Sequence, residues 1–258
     1  MSQKANQQDV KITLYWLKNS RAHRIIWLLE ELELEYELKV FNRGSNMLAP
    51  AELKEIHPLG KAPVLTIEAP GVEKPIVLAE SALIVEYLTE HFGRWLIPGR
   101  YPEGKDGAVG AETEAWLKYR FLMHYTEGSL MTILIVSLIT KSIRKAPVPF
   151  FIKPITGSIA NKVDESFVNR ELKNHLSFLE DYFGEGEYFC GSDITGADIM
   201  MGFALEAAVN RAPLSETSYP KLYNFVRRSQ DREAYKRAAA RIEKDTGEKF
   251  VPMSEVTH

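Results

Sequence analysis

The sequence predicts two domains, an α/β domain followed by an all-α helical domain. Residues 11–92 alternate short β-type runs with helical runs, which is the pattern of an α/β unit rather than of a helical bundle. Residues 93–107 contain four glycines and two prolines and are typical of an interdomain linker. Residues 108–245 carry apolar side chains at helical spacing. A chain of 258 residues is long enough for two modest cores.

Within residues 11–92, each element follows from its local pattern. A β-rich run predicts a first strand, apolar residues at helical spacing predict an amphipathic helix from 21 to about 34, and a second strand follows. A turn at Pro70-Gly71 joins two further strands into an antiparallel hairpin, and Ser81 begins another helix. The order is βαβ then ββα with a proline just before the third strand, which is the thioredoxin-like arrangement. The strands are expected at 11–17, 35–41, 64–68 and 76–79, with one helical turn at 51–56.

The second domain is predicted to contain one unusually long helix of some thirty residues. A second helix is expected from the apolar spacing between Val163 and Leu179. Thr195 and Asp198 match a capping box, so a helix is expected to begin at Gly196 and run toward Arg211. Two shorter helices follow, after Pro220 and Arg232. We expect residues 1–10 and 246–258 to be flexible tails.

Composition excludes several classes of protein. A net charge of −3 and a pI near 6.1 provide no overall field to attract phosphates, so a nucleic acid partner is not expected. Cys190 is the single cysteine, which excludes an internal disulfide framework and a cysteine-based metal site; no metal is expected. The polar start lacks the apolar core of a signal peptide. These features predict a cytoplasmic protein.

Residues 141–158 are compatible with two interpretations, a membrane-contacting segment or an irregular connection between two helices. Basic residues there alternate with Phe150, Phe151, Ile152 and several prolines, so contact with an intracellular membrane surface is conceivable. We favour an irregular connection between two helices with its aromatic side chains packed inward, because the prolines interrupt any amphipathic helical pattern. The apolar run 130–139 is roughly half of the ~20 residues needed to span a bilayer.

The segment HPLGKAPVL (57–65) is the first candidate binding feature. Pro63 can simply start a strand, but a cis Ala62-Pro63 bond would turn the backbone N–H and C=O of Ala62 toward an extended peptide ligand. Gly60 permits close approach of the loop to a ligand. Lys61 and His57 could bind a carboxylate.

The second feature is Glu80-Ser81, where a strand ends and a helix begins. Free backbone N–H groups and a Ser hydroxyl at a helix N-terminus bind anions, and Glu80 can bind an adjacent ammonium group. Together they fit the amino-acid end of a peptide. On its own, the pair would equally serve as a helix cap.

These motifs, in this order, resemble glutathione transferases over nearly the whole chain. The run SRAHRIIWLLEEL (20–32) precedes the proline and Glu-Ser motifs, and HYTEGSLM (124–131) and DITGADIMM (193–201) resemble helices of the same family. The chain is most similar to fungal transferases of the yeast Gtt type and their bacterial relatives. The resemblance implies that Ala62 binds the cysteinyl part of glutathione, Glu80 and Ser81 its γ-glutamyl end, and Lys61 or His57 its glycyl carboxylate.

The family reaction needs glutathione as a thiolate, which attacks a small electrophile or a hydroperoxide. Lowering a thiol pKa near 8.5 by about two units takes roughly 2.7 kcal/mol, and one charged hydrogen bond supplies roughly 1.5–3 kcal/mol. Ser20, between the first strand and first helix, can donate that bond while its oxygen caps the helix. Asn19, Tyr15 and Tyr125 are alternatives. A cysteine is absent from this loop, which disfavours a mixed-disulfide mechanism.

The resemblance also implies a homodimer and an electrophile pocket between the domains. The pocket candidates on the long helix are Trp116, Tyr119, Met123 and Tyr125, although a core or subunit-interface stripe has the same spacing. A regulatory or protein-interaction module on this fold would keep the cradle without turnover. A glutathione peroxidase would differ only in its electrophile. An isomerase of the maleylacetoacetate type would want a second basic residue, which His23 could supply.

Overall fold

The computed structural model describes residues 9–44, 46 and 48–256. Its first domain is built on a four-stranded mixed sheet in the order β2-β1-β3-β4, in which β1 is parallel to β2 and antiparallel to β3, and β3 is antiparallel to β4. This is the predicted thioredoxin-like arrangement. The elements of the domain are β1 Lys11–Leu17, α1 Ala22–Glu31, β2 Tyr36–Phe41, α2 Leu53–Ile56, β3 Val64–Glu68, β4 Ile76–Ala79 and α3 Ser81–Phe92.

Helix α1 connects the two domains. Residues 22–29 are all buried, because the helix lies between the sheet and the helical domain. Gly202 on the facing helix permits this contact, since a Cβ there would lie 2.7 Å from Cζ3 of Trp27. The helix ends at Glu31, slightly before the predicted end.

The second domain is all-α, as predicted. The long helix is continuous over Glu114–Lys145, with a π turn at Thr126–Leu130 that separates α4 from α5. A second π turn, Asp164–Val168, joins α6 to α7, so the predicted second helix begins earlier than its apolar spacing indicated. The helices are α4 Glu114–Tyr125, α5 Met131–Lys145, α6 Lys153–Val163, α7 Asn169–Phe183, α8 Gly196–Arg211, α9 Pro220–Asp231 and α10 Glu233–Thr246.

By length and composition, Glu114–Lys145 is one helix that could cross a membrane, with 44% of its apolar window buried inside the protein. Core helices pass the same test. Leu122, Leu130 and Leu134 are fully buried in the main hydrophobic core, so this helix packs as a core helix.

The connection between α5 and α6 differs from the favoured interpretation. Phe150 and Phe151 are 82% and 64% exposed, so the expectation of aromatic side chains packed inward is wrong. Pro154 lies in the first turn of α6, where proline is tolerated because its missing N–H would have no partner in the helix.

The chain after α10 packs against the protein. Met253 and Val256 are buried, the Met253 N–H donates to Glu206 Oε2 at 3.2 Å, and the Phe250 N–H donates to Glu243 Oε1 at 2.9 Å. The expectation of a flexible C-terminus therefore does not hold for residues 248–256. The expected N-terminal tail lies outside the described residues, except for Asp9 and Val10.

Candidate active site

Strand register brings the predicted segments to one end of the sheet. Val64, the first residue of β3, pairs with Tyr15 of β1 and with Ala79, the last residue of β4. The residues just before β3 and just after β1 and β4 therefore share one edge. This edge contains the Ala62-Pro63 bond, the Glu80-Ser81 pair and the loop with Asn19 and Ser20.

The loop after β1 is held by hydrogen bonds. Ser20 Oγ accepts from the N–H of Ala22 at 3.2 Å, which leaves its own hydrogen for another acceptor. The N-cap of α1 is Arg21, which makes no side-chain cap hydrogen bond, so Ser20 is not the helix cap that the sequence predicted. Asn19 adopts a positive φ of 52°, which asparagine tolerates better than most residues. The Arg43 side chain donates to the carbonyls of Lys18 and Asn19, each at 3.1 Å. These contacts fix the position of the Ser20 hydroxyl.

The Ala62-Pro63 peptide bond is cis, as the sharper sequence interpretation expected. Gly60 has a φ of 56°, and its N–H donates to the His57 carbonyl at 2.8 Å. A side chain at 60 would be strained and would approach Lys54. Glycine thus permits the tight turn that leads to the cis bond. Lys61 is exposed, and His57 is half-buried, where its Nδ1 accepts from the Leu59 N–H.

Glu80 is the backbone outlier of the site. Its φ and ψ are 73° and 122°, a combination that non-glycine residues rarely adopt, and it is the N-cap of α3. Backbone outliers cluster at ligand-binding positions, where surrounding structure holds them. Ser81 is buried at the first helical position, while the Glu80 side chain is exposed. The outlier places a carboxylate beside a helix N-terminus.

A cavity of about 350 Å³ lies beside Ser20. Asn19 and Ser20 form one wall, and Phe203 of α8 contributes to another. The C-terminal segment, residues 248–256, closes the cavity with mostly apolar side chains, and Glu248 is ion-paired to Lys18. The lining from this segment is Glu248, Lys249, Phe250, Val251, Met253, Glu255 and Val256.

Two side chains on the cavity lining have buried nitrogen atoms that lack a hydrogen-bond partner among the described residues. These atoms are Nε1 of Trp16 and both ring nitrogens of His23. The His23 ring stacks on Phe250 with centroids 4.5 Å apart, and burial lowers the pKa of His23 to about 3. His23 is therefore a neutral ring near pH 7. It does not supply the second basic residue that an isomerase would want.

We expect His23 to make the fold sensitive to acid. Its folded pKa lies below its unfolded value, so the unfolded chain takes up a proton first, and stability falls as pH decreases from about 6.5 toward 3. At pH 5 the loss is about 2 kcal/mol relative to pH 7. Burial raises the pKa of Asp198 to about 6, which changes stability in the opposite direction over the same range, so the contribution of His23 is the difference between two chains. Urea unfolding at both pH values should show a change in stability that is less favourable in the parent chain than in His23→Phe by about this amount. An equal loss in His23→Phe would contradict the prediction, and His91→Gln, at an exposed histidine, is the control.

A buried ion pair joins the loop to the helical domain. Arg24 of α1 is fully buried and pairs with Glu127 in the π turn, while Arg21 Nε lies 3.0 Å from the same carboxylate. The single negative charge of Glu127 is thus shared between two arginines, and the three side chains together keep one positive charge. π turns inside helices are frequent at functional sites, and this one carries the contact to the Ser20 loop.

Comparisons with known proteins identify the family of the chain. The family model of the glutathione S-transferase N-terminal domain matches residues 20–91, and that of the C-terminal domain matches residues 148–237. Glutathione S-transferase 3 of Schizosaccharomyces pombe is 33% identical over 248 residues, covering 96% of this chain and 94% of that protein. The chain belongs to the glutathione S-transferase family.

Further similarities extend over the same length. Glutathione S-transferase 1 of Saccharomyces cerevisiae is 31% identical over 225 residues, covering 87% of this chain and 92% of that protein. A crystal structure of a glutathione S-transferase from Actinobacillus pleuropneumoniae is 28% identical and superposes with a TM-score of 0.67, covering 96% of this chain and 97% of that one. The resemblance found in the sequence and the two-domain fold are confirmed.

The electrophile candidates on α4 lie apart from the Ser20 cavity of this transferase. Tyr119 and Met123 are 2% and 1% exposed within the hydrophobic core, as the alternative of a core stripe expected. Trp116 lies against the Arg100 guanidinium, whose carbon is 4.6 Å from the ring centroid. Tyr125 packs on Phe121, and its hydroxyl is 2.5 Å from His175 Nδ1. None of the four lines the cavity.

The cavity residues that sequence analysis missed lie in the C-terminal segment and on β1 and α8. Phe250, Met253 and Val256 have no periodic pattern, so no local signal marked them as packed. Trp16 and Phe203 lie within the predicted first strand and the predicted helix that begins at Gly196, and neither was proposed as a site residue.

Two further features bear on the chemistry. Burial raises the pKa of the Cys190 thiol to about 12, and its sulfur lies 3.8 Å from Thr195 Oγ1, among helical-domain residues and outside the cavity lining. Within the described part of the chain, no group of three or more His, Cys, Asp or Glu side chains is positioned to hold a metal ion.

Proposed function

We propose that the protein transfers the glutathione thiolate to small electrophiles. In this proposal the Ser20 hydroxyl is the chief hydrogen-bond donor to the thiolate sulfur. The observation that supports this is the meeting of three segments at one sheet edge: the Ser20 loop, the cis Ala62-Pro63 bond and Glu80-Ser81. A tripeptide laid along this edge would meet a hydroxyl, a strand-like backbone and an amino-acid site in turn.

Each part of glutathione has a proposed partner. The Ala62 backbone pairs with the cysteinyl residue, Glu80 receives the γ-glutamyl ammonium, and Ser81 with the α3 N-terminus receives the adjacent carboxylate. Lys61 or His57 receives the glycyl carboxylate. Asn19 lines the same cavity as Ser20 and is the second candidate donor to sulfur.

The proposed chemistry begins with loss of the thiol proton to water. The thiolate then attacks an electrophilic carbon, a C–S bond forms, and a leaving group such as chloride departs with its bonding pair. With a hydroperoxide, the sulfur attacks oxygen and the O–O bond breaks to give an alcohol. A second glutathione then converts the oxidised sulfur to the disulfide and releases water.

We place the electrophile in the cavity beside Ser20 rather than on α4. The cavity wall is apolar at Phe203, Phe250 and Met253, and it offers the indole N–H of Trp16 as an unused donor. An apolar electrophile with one hydrogen-bond acceptor fits this wall. We also propose a homodimer, in which exposed apolar residues of one front domain, such as Leu83, meet those of the partner's long helix, such as Leu117.

Removing the Ser20 hydroxyl tests this proposal. In Ser20→Ala, we expect retention on immobilised glutathione to persist, because the cradle is unchanged. We expect conjugation of a chlorodinitrobenzene near pH 7 to fall by about 25-fold, since the thiolate fraction at this pH falls when the thiol pKa returns from about 6.5 to about 8.5. The pH–rate profile should move upward by about two units, while Ser20→Thr, which keeps a hydroxyl, should retain most of the rate.

The alternatives give different results in the same assays. An unchanged pH–rate profile in Ser20→Ala would assign the donor role to Asn19, and Asn19→Ala would then show the shift. Failure of the parent chain to bind glutathione would reject the cradle. Binding without conjugation or peroxidase activity would favour a regulatory or protein-interaction module.

A further inference from the structure

The end of α5, the following loop and α6 form a surface of concentrated positive charge. Residues 141–163, here called the α5–α6 face, contain five lysines and arginines and no aspartate or glutamate, although the whole chain has a net charge of −3. The basic residues are Lys141, Arg144, Lys145, Lys153 and Lys162. Such a local excess attracts an anionic partner.

Part of this charge is directed outward. Arg144 is paired with Asp164, and Lys141 Nζ donates to the carbonyl of Asn210 at 2.9 Å. Lys153 and Lys162, at the two ends of α6, are exposed. These two lysines are the positive groups on which we base the argument.

The same face exposes large apolar side chains. Phe150 and Phe151 form an edge-to-face pair with centroids 5.6 Å apart, and both rings are largely exposed. Ile155 and Ile159, one helical turn apart on α6, are 59% and 55% exposed. Ile139 is exposed near the end of α5. Four of these side chains lie within residues 141–163, and a concentration of exposed apolar side chains on a protein surface marks an interaction site.

The aromatic pair, the exposed isoleucines and the exposed lysines together fit one chemistry, although Glu165 lines the same surface depression as Lys162. A bilayer with anionic headgroups accepts apolar side chains in its interfacial layer and attracts lysine ammonium groups that extend from the same helix. A nucleic acid would satisfy the charges but offers no partner to isoleucine side chains. We propose that the α5–α6 face binds the surface of an anionic membrane, with Phe150 and Phe151 inserted and Lys153 and Lys162 at the headgroups.

The proposal is tested by sedimentation of the full chain with vesicles. One set is phosphatidylcholine alone, and the other contains about one third phosphatidylserine. We expect binding to the anionic vesicles to exceed binding to the neutral ones by about fivefold for each lysine at the surface. High salt should weaken it, because the screening length falls from about 10 Å at 0.1 M to about 3 Å at 1 M.

Two double variants separate the contributions. Lys153→Gln with Lys162→Gln should lower anionic binding by about 25-fold, and Phe150→Ser with Phe151→Ser should lower it more than tenfold. Lys105→Gln with Val109→Ser, at exposed positions before α4, should change nothing. Melting temperature and glutathione retention should be equal in all variants, so the test is independent of the proposed transferase chemistry.

Three outcomes would overturn the proposal. The parent chain could fail to sediment with anionic vesicles, or it could bind neutral and anionic vesicles equally. The Phe150 and Phe151 substitutions could also leave vesicle binding unchanged while altering the sedimentation coefficient of the lipid-free protein, which would identify the face as an interface between copies of this chain.

Discussion

Asp198→Ala is expected to remove about 4 kcal/mol from the free energy of unfolding. The carboxylate is fully buried at the start of α8, where it accepts from the Thr195 N–H at 2.8 Å and from the Phe189 N–H at 3.0 Å. Alanine would leave both N–H groups buried without acceptors, at about 1–3 kcal/mol each, and the bond lost from the Thr195 N–H is the one that closes the capping box.

Such a loss is a large part of the stability of any domain, which is about 5–15 kcal/mol. A chain of this size should melt roughly 10 °C lower. The measurement is thermal and urea unfolding of the purified variant. Asp198→Asn should be destabilised as well, since its amide nitrogen would face one of the two N–H donors.

The matched control is Asp193→Ala, an exposed acid in the preceding turn that bonds only to Ser192 among the hydrogen bonds described. It should change stability by a few tenths of a kcal/mol. If Asp198→Ala and Asp193→Ala unfold alike, the buried carboxylate does not stabilise the start of α8.

The capping box also shows why some elements could be predicted from the sequence. Thr195 and Asp198 satisfy the backbone locally, so the start of α8 at Gly196 needed no tertiary information. The hairpin of β3 and β4 was likewise set by its own turn at Pro70-Gly71. Both were predicted to the residue, because the determining contacts lie within a few positions along the chain.

The features that could not be predicted depend on contacts between residues far apart in the sequence. Helical spacing placed Tyr119 and Met123 on one face of α4, but that face packs into the core rather than lining the cavity beside Ser20. The C-terminal segment is held by partners such as Glu206, which lies 47 positions from Met253. No local pattern encodes such a contact. The exposure of Phe150 could not be predicted either, because phenylalanine as a residue type favours burial.

The buried pair Arg24–Glu127 was also outside the reach of the sequence, because solvated helix charges are the default expectation for both residues. Its geometry leads to the second large prediction. Glu127→Leu should destabilise the protein by about 3 kcal/mol, since it leaves the fully buried Arg24 guanidinium without its carboxylate. Burial already lowers the pKa of Arg24, which shows how unfavourable an unpaired charge would be there.

Removing the other partner should have a smaller effect. In Arg24→Met, Glu127 keeps its contact with Arg21, and its own side chain is 24% exposed. Water and one arginine therefore still stabilise its charge. The loss should be about 1 kcal/mol. The double variant, with methionine and leucine facing each other, should be no less stable than Arg24→Met, because a packed apolar pair replaces an ion pair of similar volume.

A double-mutant cycle in urea therefore measures the coupling directly. We expect an interaction energy of at least about 3 kcal/mol, with the Glu127→Leu defect largely rescued by Arg24→Met. Strictly additive losses would mean that the contact between α1 and the π turn contributes no net stability. Because Arg21 follows Ser20 directly, Glu127→Leu should also lower the rate of thiolate transfer, and Arg24→Met should leave that rate closer to the parent value.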